Sequence, residues 1–233
     1  MTVEISADAA ALATSVAGRM SDRLAAVQAA GTTPSVVLTG GAIAIAIYEV
    51  LEAGAADWKH VDFYWGDERF VPAGHADRND QQARDSFLTR LGVPEDHVHA
   101  LPPHDCAYSA AEAADAYAGE IPEAPFDLVL LGVGPDGHVA SLFPGFAQLH
   151  ETERKVVEVF GSPKPPPVRL SMTIPTLNNA DSVWFLVAGE GKAEAVARSL
   201  EDGALVVDSP ASGIHGSRET RWLLDEAAAS RLS

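Results

Sequence analysis

The chain has 233 residues and a formal net charge of −17, from 33 acidic and 16 basic side chains, with 47% hydrophobic residues. That is ordinary for a folded soluble protein and excludes a disordered one. So acidic a field also excludes nucleic-acid binding, which needs clustered Lys and Arg, so any anionic ligand must be held by a few local cations.

The single cysteine, Cys106, permits no internal disulfide and no cysteine-based zinc site. The opening MTVEISADAAALATS lacks a basic segment before an apolar one, and the longest apolar run, Ala42 to Tyr48, is too short to span a bilayer. The expectation is a cytoplasmic protein that contacts neither membrane nor nucleic acid and acts as a monomer.

In chain order, residues 6–30 carry helical spacing and stop at Gly31. Ser35 to Thr39 (SVVLT) reads as a strand, and Gly40-Gly41 then opens a helix over AIAIAIYEVLEAG. His60 to Trp65 is the next strand, followed by the loop GDERFVPAGHADRN and a helix from Asp80 to Leu91. An alanine-rich helix spans Ala107 to Gly119, and Asp127 to Leu131 is a buried strand. The proline-rich SPKPPPV reads as a stiff surface loop flanked by strand-like sequence. Val183 to Ala188 is a strand leading to a helix over Lys192 to Leu200; a short strand at Leu205 to Val207 and a helix in RWLLDEAAAS close the chain. Apolar strands alternating with helices predict an α/β fold, a Rossmann-like sandwich whose mostly parallel sheet is covered by helices on both faces, with residues 1–233 as one domain.

In such sheets ligands bind beyond the carboxyl ends of the strands, and the unusual residues fall there. Thr39-Gly40-Gly41 offers close backbone approach and free N–H groups. Gly66-Asp67-Glu68-Arg69 sets charges directly after FYW. Between Leu130 and Gly145 (LLGVGPDGHVASLFPG) stand four glycines and a lone histidine, His138. Asp136 suits an N-cap, which would put His138 at a helix start, where the helix dipole favours the neutral imidazole a general base needs. Arg69, Arg169 and Lys192 are the cations available to a phosphate ester. His97, His99 and His104 fit no ligand spacing, and a cation between His138, Asp67 and Glu68 is less economical than a lone base; neither metal nor cofactor is expected.

LLGVGPDGHVASLFPG, with WGDERFVP, LTGG and RLSMTIPTLNNADSVWFLVAGEGKAEAV, closely resembles the 6-phosphogluconolactonase family over nearly the whole chain. The resemblance implies a fold shared with glucosamine-6-phosphate isomerases/deaminases and hydrolysis of 6-phospho-D-glucono-1,5-lactone to 6-phospho-D-gluconate in the oxidative pentose phosphate pathway. It implies His138 as the base that activates water and Asp67 as its electrostatic partner. Gly40, Gly41, Arg69, Asn79, Gly137, Arg169 and Lys192 then contact the substrate. Arg78-Asn79 departs from the family's usual Ser-Asn. The deaminases continue their GxGxDGHxA segment into Asn-Glu-Pro, whereas here Ser141 to Gly145 brings no carboxylate. A sugar-phosphate-binding regulator is the alternative of another class: it would keep the cations but have no need of His138.

Overall fold

A computed structural model describes residues 1–232. The chain starts with β1 (Thr2–Ser6), then α1 (Ala9–Ala29), β2 (Ser35–Leu38), α2 (Ala42–Glu49), β3 (Asp62–Trp65) and β4 (Asp67–Arg69). Next, α3 (Asn79–Ala83) passes through a π turn at Arg84–Leu88 into α4 (Thr89–Leu91), before α5 (Ala110–Glu120) and β5 (Leu128–Gly132). The remainder is β6 (Val156–Val159), β7 (Arg169–Met172), α6 (Ile174–Asn178), β8 (Ser182–Val187), α7 (Ala193–Leu200) and β9 (Glu219–Asp225).

Six strands form a parallel sheet in the order β1-β9-β8-β5-β2-β3, and β4-β7-β6 form a small antiparallel one. Every residue of β8 is buried, as are Leu128 to Leu131 of β5, because side chains on both faces of the large sheet lie under other elements. Local signals set the helix starts. Asp8 accepts the Ala11 N–H at 2.8 Å ahead of α1, and Ser109 with Glu112 forms a reciprocal capping box ahead of α5. Leu12, Val16, Met20 and Leu24 recur every fourth residue and give α1 its buried stripe.

The structure departs from the sequence reading at several places, among them the loop GDERFVPAGHADRN, whose Asp67–Arg69 form β4, and Ile174–Asn178, which form α6. β1 was not anticipated: its five residues, TVEIS, are too few to display a strong alternation beside the long helix that follows. RWLLDEAAAS is not a helix; Glu219 to Asp225 is a strand between β1 and β8, where apolar Trp222, Leu223 and Leu224 suit a site covered on both faces. Leu205 to Val207 is a turn whose Leu205 is 62% exposed, since three apolar residues without a neighbouring strand cannot form a ladder. No helix follows Asp136; His138 lies in a tight glycine turn, so the dipole argument for it does not apply.

The sheet order locates the site. From β2 the chain moves outward to β3, then returns to place β5 on the other side of β2. The loops leaving β2 and β5 therefore part in opposite directions and open a crevice at the carboxyl ends of these neighbours.

Candidate functional site

A cavity of about 360 Å³ occupies that crevice. Thr39 to Ala42 after β2, Gly132 to Gly134 at the end of β5 and Leu186 to Ala188 at the end of β8 line it. The Gly132 N–H reaches the Thr39 hydroxyl at 3.4 Å and ties the two central exits together. Of the expected site residues, Gly40, Gly41, Asp67, Arg69, Asn79, His138, Arg169 and Lys192 all face the cavity. Gly137 does not; it lies against Ser209, and its carbonyl accepts the Ala211 N–H at 3.0 Å, so its part is to close the turn.

His138 is held from three sides. Its Nδ1 is 2.5 Å from Asp136 Oδ1, its ring centroid is 4.7 Å from that of Phe143, and its carbonyl accepts the Gly134 N–H at 2.9 Å. Burial opposes ionisation of Asp136, but the hydrogen bond and charge of His138 outweigh it and hold the carboxyl down at about 2. An ionised Asp136 fixes the proton of a neutral imidazole on Nδ1 and leaves the Nε2 lone pair free. Only glycine fits at 134, because a Cβ there would lie 2.0 Å from His138 Nδ1.

The carboxylate hydrogen-bonded to His138 is thus Asp136 and not Asp67. Asp67 takes the Ser141 hydroxyl at 2.5 Å, and the Asn79 amide donates to its carbonyl at 2.9 Å. Ser141 in turn receives its orientation from Ser171, whose hydroxyl accepts the Ser141 N–H at 3.2 Å. Asn79 Oδ1 is buried without a partner beside Gly40, where a Cβ would come within 2.0 Å of it.

The strand period explains how three consecutive charges serve two purposes. In β4, Asp67 and Arg69 point to one side and Glu68 to the other. Across the ladder Asp67 pairs with Ser171 and Arg69 with Arg169, so these four share the cavity side. Glu68, 1% exposed, instead accepts the Arg69, Asn79 and Asp80 N–H groups at 2.8, 2.8 and 3.0 Å. Burial pushes its carboxyl up, against the pull of Arg78 and these donors. Arg78, also buried, bonds Asp80 at 2.6 Å and the Leu101 carbonyl at 2.7 Å. It anchors the loop behind the cavity.

Arg69 and Arg169 are like charges directly opposed, an arrangement that destabilises a sheet unless an anion joins them. Lys192 and Lys164 complete a set of four cations around the cavity. Among the described residues none of the four pairs with a carboxylate, although the molecule is acidic and its ion pairs numerous. Burial lowers the pKa of Arg169 and of Lys192, and Lys164 lowers that of Lys192 further. Lys164 escapes a reading of the sequence because it lies in the proline loop, and Ser141 because a neutral side chain carries no charge signal. Among the described residues, no three His, Cys, Asp or Glu side chains converge as a metal-binding group, and no helix is long and apolar enough to cross a membrane. His97 bonds Asp62 at 2.6 Å, and His99 stacks on Tyr64.

Comparison with known proteins agrees with this architecture. The chain is 44% identical over 237 residues to the 6-phosphogluconolactonase of Streptomyces coelicolor, covering 95% of this chain and 90% of the relative. It is 40% identical to that of Mycobacterium tuberculosis, covering 99% and 98%. The structure of the 6-phosphogluconolactonase of Trypanosoma brucei superposes with a TM-score of 0.87 at 28% identity, covering 100% of this chain and 98% of that one. A family described as glucosamine-6-phosphate isomerases/6-phosphogluconolactonase matches residues 7–222. The chain belongs to the glucosamine-6-phosphate isomerase/6-phosphogluconolactonase family.

Proposed function

We propose that the chain hydrolyses 6-phospho-D-glucono-1,5-lactone to 6-phospho-D-gluconate, the lactone step of the oxidative pentose phosphate pathway, by direct attack of water with His138 as the base. The observation that carries this reading is the pairing of an Asp136-oriented imidazole with four unpaired cations in one cavity.

His138 Nε2 takes a proton from water as the water oxygen bonds to the lactone carbonyl carbon. The carbonyl becomes an oxyanion, for which the Gly40-Gly41 turn and the first N–H groups of α2, which line the cavity, are candidate backbone donors. As the intermediate collapses, the bond to the ring oxygen breaks and the protonated imidazole returns its proton to that oxygen. Asp136 remains ionised throughout and offsets the transient imidazolium. Asp67 and Asn79, with its uncommitted Oδ1, suit sugar hydroxyls, while Arg69 and Lys192, with Arg169 beside them, suit the phosphate. Isomerisation is disfavoured because the segment Ser141 to Phe143 is buried and places a serine and two apolar side chains after the histidine turn.

The test follows acid release from freshly prepared lactone at neutral pH, above the spontaneous rate. His138→Ala should lose on the order of 10²–10⁴-fold in kcat while retaining 6-phosphogluconate binding. Full activity in the variant would remove His138 as the base. An inactive native protein would sink the lactonase reading, and deamination of glucosamine 6-phosphate would be assayed next.

A further inference from the structure

The loop Phe160–Val168 between β6 and β7 contains four prolines, none of which has an N–H to offer. Its carbonyls therefore need donors from elsewhere, and Arg169 provides them. Arg169 Nε donates to the Pro166 carbonyl at 3.0 Å, and Nη2 donates to those of Lys164 and Pro165 at 3.1 Å each. The Ser162 hydroxyl donates to the Lys164 carbonyl at 2.9 Å, and the Ser162 N–H to the Pro167 carbonyl at 3.0 Å. The loop is thus closed on itself and fastened to the first residue of β7.

This fastening delivers Lys164 to the cavity wall. Its side chain is exposed and pairs with no carboxylate among the described residues, yet it lies close enough to Lys192 for the two charges to repel. Lys164 and Lys192, whose Nζ donates to the Val133 carbonyl at 2.7 Å, line the same cavity as Arg69 and Arg169 opposed across their ladder, and such a set suits an anion of more than one negative charge. Most of the Arg169 donors are already committed to carbonyls, so much of its polar capacity is spent on the loop.

We propose that Lys164 is a direct ligand of the substrate's phosphate, and that Arg169 acts as the positioning residue that holds the Lys164 loop against the cavity. This deepens the function proposed above and rests on it for the phosphorylated substrate. The chemistry is that of a phosphate monoester dianion: a point-charge lysine on its open side and a planar arginine fixing the geometry behind it.

Calorimetric titration with 6-phosphogluconate, gluconate and inorganic phosphate tests it, on the native protein and on Lys164→Ala, Arg169→Lys and the double variant. Lys164→Ala should weaken 6-phosphogluconate and inorganic phosphate about tenfold, the loss of one charge-assisted hydrogen bond, and leave the affinity for gluconate in place. The ratio of kcat/KM for phosphorylated over unphosphorylated gluconolactone should fall by a similar factor. Arg169→Lys keeps the charge but cannot hold three carbonyls, so it should produce the same loss, and adding Lys164→Ala to it should cost little more. Unchanged phosphate affinity in Lys164→Ala would overturn the proposal, as would equal weakening of gluconate. Additive losses in the double variant would overturn the positioning role of Arg169. A native protein that binds phosphate through Lys164 but hydrolyses no lactone would refute the function and leave this inference standing.

Discussion

Substituting Gly134 by alanine tests the site through its backbone rather than its chemistry. An added Cβ would lie 2.0 Å from His138 Nδ1, 2.1 Å from Cε1 and 2.4 Å from Asp136 Oδ1, while ordinary contact begins at 3.4 Å. Histidine and aspartate must therefore retreat together by roughly 1 Å or more, a displacement that costs on the order of 10²-fold in a well-aligned reaction. The turn itself can survive, because alanine retains the N–H that bonds the His138 carbonyl. Overpacking of this kind costs about 1–3 kcal/mol, or several degrees in thermal midpoint for a chain of this size. The assay compares initial rates of lactone hydrolysis for the native protein, Gly134→Ala and Gly119→Ala, the last a control where nothing lies within 4 Å of the added methyl. Thermal midpoints and 6-phosphogluconate affinity separate misplacement from unfolding. A Gly134→Ala protein with native kcat would refute the claim that the Gly134 turn sets the position of the base.

Three other outcomes follow from the same geometry. Asp136→Asn should lower kcat about 10²-fold, within the range of general-base effects, as read from the same acid-release assay. Its stability effect is pH-dependent: the folded carboxyl sits at about 2 against an ordinary 3.8, so ionised Asp136 favours the folded chain above pH 3.8 and loses that advantage as pH falls towards about 2. The gap in thermal midpoint between the native protein and Asp136→Asn should therefore narrow over that interval, and a constant gap would count against the ion pair. Ser141→Ala removes the close donor to Asp67 and should cost about 1–3 kcal/mol in urea unfolding; a neutral result would show that Asp67 needs no such partner. Arg78→Ala removes the counter-charge beside buried Glu68, while the part-buried Asp80 keeps Arg84 at 3.5 Å, and should cost about 3–5 kcal/mol, a fall on the order of 10 °C in the midpoint by calorimetry; a shift of a degree or less would mean that water replaces the guanidinium.

How much of this was legible in the sequence depended on the range of the interaction involved. The runs VVL, FYW and LVLL announce buried parallel strands because both faces demand apolar residues, and the glycines around His138 mark a turn that approaches its own side chain. RWLLDEAAAS reads as a helix because its apolar run joins an alanine-rich tail without a break, and only the place between β1 and β8 decides for a strand. Asp136 reads from the sequence as an N-cap and not as the partner of His138 Nδ1, since a contact over two residues depends on the turn's dihedral angles, which composition does not specify. Lys164 was invisible for a different reason: its place at the cavity follows from an antiparallel ladder between β6 and β7 and from the guanidinium at its end.

The alternation in β4 also determines which changes in length the site can survive. Deleting one residue between Gly66 and Phe70 would slide the strand by one step, carrying Glu68 into the cavity and turning a cavity-facing charge into the protein interior. A residue inserted in the exposed stretch Ala73 to Ala76, by contrast, meets no ladder and leaves Arg69 and Asn79 at their stations. Length variation among related chains should then gather in that loop between β4 and α3 and stop abruptly at the strand, so that three residues of β4 act as a reading frame for the chemistry beside them.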